Sequence, residues 1–135
     1  MLRLQVPITM AAVAEAEGEL DGWLAAHGVA PAAAYRTRLV VEELLTNLVR
    51  HGRFDGPAPP AWLELGLREQ ELRLVIEDAA APFDPRLAPP PPPPSLDDDR
   101  IGGLGLALVL KMADCLAYGR TATGWNRTEL RIAAE

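Results

Sequence analysis

The chain has 135 residues, long enough for one domain with a sizeable core, so residues 1–135 are expected to form a single domain. Thirteen basic against 19 acidic side chains leave a formal charge of -6 with no run of Lys or Arg, which argues against direct nucleic-acid binding. A single cysteine, Cys115, excludes an internal disulfide and any site built from several thiolates. The apolar stretches are shorter than a membrane span, and "MLRLQVPITM" lacks the apolar core and cleavage site of a secretory signal. The cytoplasm is the simplest home, and no membrane is expected as a partner.

In chain order, "LRLQVPI" alternates apolar Leu2, Leu4 and Val6 with polar residues, a short strand with one buried face. Thr9 is placed to cap a helix through "MAAVAEAEGELDGWLAAHG", ending at Gly28. Pro31 opens a second helix that runs to Gly52. "AWLELGLRE" and "ELRLVIED" alternate and join at Glu69-Gln70, a hairpin. The next stretch holds six consecutive prolines and the aspartates 97–99, and forms neither a helix interior nor a central strand. A loop of that length in a small domain reads as a lid or binding loop. "GLGLALVLKMADCLAYG" reads as a third helix carrying Cys115, followed by a closing hairpin that turns near Gly124. The order is β-α-α-β-β-loop-α-β-β.

Three stretches carry polar chemistry. In the second helix Val41, Leu44, Leu45 and Leu48 make the core stripe, while Glu43 and Asn47 stack four residues apart on another face. That pair fits a solvated flank. It also fits a carboxylate and an amide oxygen aimed at a metal-bound polyphosphate, because magnesium takes hard oxygen ligands. Asp78 ends a strand before a small-residue turn, where a carboxylate can accept a bond from a base's exocyclic amine or simply start the turn. Gly102, Gly103 and Gly105 precede an apolar helix, where free backbone N–H groups and the helix N-terminus suit a phosphate, although loop flexibility explains glycines too. The spacing matches neither a P-loop nor a dinucleotide fingerprint.

Taken in order, helix E-x-x-x-N, strand-end Asp with "PFDP", then G-G-x-G-L resemble the GHKL (Bergerat-fold) ATPase superfamily. The size and the wording "VEELLTNLVRHG" look most similar to RsbW-like anti-sigma factor serine/threonine kinases. The resemblance covers essentially the whole chain. It implies an α/β two-layer sandwich, a mixed, mostly antiparallel sheet with helices on one face and ATP held between helices and a lid at about 85–101. By position it implies Glu43 as catalytic base and Asn47 as magnesium ligand. Asp78 would contact adenine in a turn with Ala80 and Pro82, and Gly102, Gly103, Leu104, Gly105 and Leu106 would line the phosphates. ATP and Mg2+ are the implied cofactors. The implied partners are a sigma factor and a STAS-type anti-anti-sigma antagonist, and a homodimer is suggested. Ala80 stands where the family commonly has glycine, and a turn needing φ > 0 there would alter the adenine pocket. The alternatives are a nucleotide-binding regulatory module with weak or no catalysis, and a stand-alone histidine-kinase-type ATPase domain.

Other residues have plainer readings. His51 and Arg50 suit the helix C-terminus and a solvated face, Cys115 an inert core thiol, and Trp23, Trp62 and Trp125 core or sheet packing. Asp84 braces the lid base or starts a turn. Glu42 points away from Asn47 and is expected to have no chemical role.

Overall fold

Alternation along the strands and 3.6-residue periodicity along the helices converge on one buried layer. A computed structural model describes residues 1–87 and 106–135. Its elements are β1 (Leu2–Val6), α1 (Met10–Ala26), α2 (Pro31–His51), β2 (Ala61–Arg68), β3 (Glu71–Asp78), a 3-10 turn (Pro85–Leu87), α3 (Leu106–Leu110), β4 (Cys115–Arg120) and β5 (Asn126–Ala133). The strands form one sheet in the order β1-β2-β3-β5-β4, and every described pairing is antiparallel. The two-layer α/β architecture matches the expectation, with no parallel pair among the described residues.

Local chemistry explains the boundaries. Thr9 caps α1 by accepting a 3.1 Å bond from the Ala12 amide. After α1 the chain turns back through Gly28 at φ +67°, the left-handed conformation in which glycine has no steric cost. Pro31 starts α2, where its missing N–H costs nothing. The β2–β3 hairpin turns on Glu69 and Gln70, both at positive φ, as a two-residue turn requires when the strands keep their right-handed twist. Gly124, at φ +83°, turns β4 into β5.

The inner sheet face and the two long helices share the core. Leu63, Leu65, Leu72, Leu74, Leu130 and Ile132 from the strands meet Leu20, Leu24, Val40, Val41 and Leu45 from the helices, all fully buried. Each such side chain contributes about 1.5–3 kcal/mol of burial free energy. Val40 on α2 belongs to this core. The outer sheet face is a lattice of ion pairs, among them Arg3–Glu64 and Arg127–Glu77, and Arg3 also lies 4.3 Å over the Trp62 ring. Exposed pairs of this kind contribute little to stability.

One expected element is corrected. The third helix spans only Leu106–Leu110, and Cys115 starts β4, paired with Arg131, rather than lying in a helix. The chain leaves the helix after Leu110 and turns through residues 111–114. The Asp114 amide there donates to the Arg131 carbonyl at 2.7 Å, and its carboxylate accepts from the Ala133 amide at 2.7 Å. Apolar periodicity carried the helix reading too far, because β5 offers those backbone groups a sheet edge. Lid residues 88–101, the aspartates 97–99, Gly102, Gly103, Leu104 and Gly105 lie outside the described residues.

Gly52 caps α2 for a steric reason. Its φ of -61° is open to any residue, yet a Cβ there would stand 2.5 Å from the Leu48 carbonyl oxygen and 3.0 Å from the Phe54 ring. Gly52→Ala is expected to lower stability by roughly 1–3 kcal/mol through that overpacking. A denaturant titration that returns unchanged stability would show that the α2 terminus relaxes freely.

Candidate functional site

The polar chemistry collects where the inner sheet face stops being apolar. Down β5 the inward residues run Ile132, Leu130, Thr128, Asn126, and down β3 Leu74, Ile76, Asp78. The last pair, Asp78 and Asn126, sit directly opposite each other across the two strands. The C-terminal half of α2 passes over this end of the sheet. A bond from the Ala81 amide to the Arg53 carbonyl, 2.7 Å, ties the segment after β3 to the segment after α2.

These elements enclose a cavity of about 380 Å³, within the range of small-molecule sites. Its walls include Leu44, Asn47, Leu48 and His51 from α2, Asp78, Ala80 and Pro82 after β3, and Asn126 and Thr128 from β5. Asn47 on α2 and the stretch of Asp78, Ala80 and Pro82 after β3, distant in the chain, are therefore gathered on one cavity. Glu43 is half-buried one helical turn before Asn47 and is not part of the described lining. Leu106 opens α3 and packs against the core cluster.

Asp78 is held by two hydrogen bonds on one oxygen. Its Oδ1 accepts from the Ala80 amide at 3.0 Å and from the Asn126 side-chain amide at 2.9 Å. Burial pushes its pKa above the usual carboxylate value, while those two bonds and the charge of Arg120 work against the rise. Ala80 does not take a positive φ; among the described non-glycine residues only Glu69 and Gln70 do. Its methyl is buried with Leu48 and Ala61. The turn thus needs a small residue, not glycine.

At the edge of the site, Asp84 starts a turn. It accepts from the Arg86 amide at 2.9 Å, a turn bond, and grips the Arg86 guanidinium at 2.7 to 3.1 Å, which holds its carboxyl below the usual range. His51, read as a helix-end residue, is in the last turn of α2 and also on the cavity wall. Glu42 is exposed; its charge, after burial itself, helps raise the pKa of Glu17 on α1.

Asn126 and Thr128 escaped the sequence reading. Their signal was present: in "NRTELRIA" the period of two that turns Leu130 and Ile132 inward also turns Asn126 and Thr128 inward, polar residues at core positions.

Similarity to known proteins follows the same lines. The chain is 40% identical over 95 residues to the serine/threonine-protein kinase BtrW of Bordetella bronchiseptica, a match covering 68% of this chain and 65% of that relative's length. The SiaB–SiaC complex from Pseudomonas aeruginosa shares the fold with a TM-score of 0.60 at 18% identity, over 98% of this chain and 89% of that one. The histidine kinase domain of a blue-light activated histidine kinase from Erythrobacter litoralis superposes with a TM-score of 0.50 at 19% identity, over 95% and 61% of the two chains. No helix among the described residues is long and apolar enough to cross a membrane. Residues 6–133 match the histidine kinase-like ATPase domain as a family model, and the chain belongs to that family.

Proposed function

We propose that this protein is an ATP-dependent serine/threonine protein kinase of the RsbW type, which phosphorylates a STAS-domain anti-anti-sigma factor and in its other state sequesters a sigma factor. The observation that carries the nucleotide part is the approach of Asn47 and Asp78 to one cavity, with Asp78 anchored through a single oxygen. A carboxylate so held has its second oxygen available for the exocyclic amine of adenine. Asn47 offers one amide oxygen to magnesium. Phosphate oxygens and water would complete the shell of a cation held there, as magnesium allows. Magnesium in that place would neutralise charge on the transferring phosphoryl group. Residues 1–135 act as one unit in this reading. The segment 85–101 serves as lid, and the glycines before α3 meet the phosphates. Kinase activity is supported by the likeness to BtrW, and the regulatory partners by the RsbW-like motifs.

Incubation with labelled ATP, magnesium and a cognate STAS protein is the test. Label is expected on a serine or threonine of the STAS protein, and none is expected when magnesium is chelated. Transfer to histidine, or none to any STAS protein of the source organism, would overturn the kinase assignment. A nucleotide-binding regulator without catalysis is the second reading, favoured by the place of Glu43 outside the described cavity lining. It predicts Mg-ATP binding by calorimetry with no transfer.

A further inference from the structure

Asn126 is buried, with 3% of its surface exposed, and its amide is saturated. Its oxygen accepts from the Phe83 amide at 3.2 Å, from Arg120 Nη1 at 3.0 Å and from the Tyr118 hydroxyl. Its nitrogen donates to Asp78 Oδ1 at 2.9 Å and to the carbonyls of Ala80 and Ala81 at 3.1 and 3.2 Å. The chemistry of the neighbours fixes this orientation. A peptide N–H and a guanidinium can only donate, and a peptide carbonyl can only accept, so a flipped amide would set donor against donor. Register explains how one side chain reaches so far. Asp78, Asn126 and Arg120 form a row across β3, β5 and β4, with Tyr118 on the adjacent row.

Few of these bonds reinforce the sheet, whose backbone ladder already pairs β3 with β5 from end to end. Instead they converge on one carboxylate oxygen and on the loop from 80 to 83. We infer that Asn126 is a positioning residue for nucleotide recognition: it fixes the rotation of the Asp78 carboxylate and the path of the 80–83 loop, and thereby sets selectivity for a base that carries an exocyclic amine. The inference rests on the nucleotide reading above. Asp78 makes the contact; Asn126 decides which of its oxygens is free to make it.

The test compares ATP with inosine triphosphate, which has a carbonyl where adenine has its amine and the same triphosphate. In the wild-type protein ATP is expected to bind more tightly than the inosine nucleotide by on the order of 10–10²-fold, the effect of one hydrogen bond to a charged acceptor. In Asn126→Ala, ATP affinity is expected to fall about tenfold or more with inosine triphosphate affinity nearly unchanged, collapsing the ratio. Asn126→Leu has neither donor nor acceptor, so it cannot orient the Asp78 carboxylate. Its ratio should collapse as well. A residue that only stabilised the fold would weaken both nucleotides together, so a ratio preserved in the folded Asn126→Leu variant overturns the inference. A wild-type protein that binds both nucleotides equally, or neither, overturns the Asp78–adenine reading itself.

Discussion

Replacing Glu43 by glutamine is expected, under the proposed function, to slow phosphate transfer to a STAS-domain substrate by about 10²–10⁴-fold, the usual contribution of a general base, while Mg-ATP affinity stays nearly unchanged. Glutamine matches glutamate in length and helix propensity, so α2 should keep its packing and Asn47 its place four residues on. If Glu43 is the general base proposed above, the substitution removes its ability to accept the proton of the attacking hydroxyl. A role confined to the transition state lowers kcat and kcat/KM together, whereas a role in binding raises KM. Single-turnover transfer and calorimetry on the same preparation separate the two. Transfer at the wild-type rate in both Glu43→Gln and Glu43→Ala would remove Glu43 from the chemistry.

Asp78→Asn is expected to uncouple recognition from stability. The position of Oδ1 must remain an acceptor, because the Ala80 N–H and the Asn126 amide both point at it. The new NH2 group would then stand where the second oxygen was and present a donor to a donor on the base. Loss of a bond to a charged acceptor plus that mismatch corresponds to roughly 10²-fold weaker ATP binding. The fold should not suffer. Burial raises the pKa of Asp78, so its ionised form opposes folding, and the neutral amide removes that opposition.

The sign follows from linkage. The folded state holds this proton more tightly than the unfolded chain does. The unfavourable contribution is therefore complete above the raised folded-state pKa and disappears as pH falls through it toward the ordinary aspartate value. On the proposed Asp78–adenine contact, ATP affinity is expected to run the other way, because the ionised carboxylate is the stronger acceptor. It should decline with acid at a higher pH than an ordinary aspartate would give. Thermal melts and nucleotide titrations across acidic pH check both halves. A melting temperature that falls in Asp78→Asn, with ATP affinity retained, would reverse the assignment.

By itself the sequence determined the element types, the β2–β3 and β4–β5 hairpins and the capping of α1 and α2. These depend on period and on residues such as Thr9, Pro31 and Gly28, whose effects act within a few positions. The motif positions Asn47, Asp78, Ala80 and Pro82 are legible in the sequence, and all four line one cavity. The end of the third helix was not legible, because the backbone of Asp114 bonds to Arg131 and its carboxylate to Ala133, partners supplied by a strand that comes later in the chain. Ala80 looked like a misfit for the turn, and only the backbone angles and the burial of its methyl beside Leu48 and Ala61 decided that it fits. Asn126 needed tertiary structure most. The strand period turns it inward, but nothing local says what it meets there. Its six partners come from β3, β4 and the 80–83 loop, and only sheet register sets them around one amide.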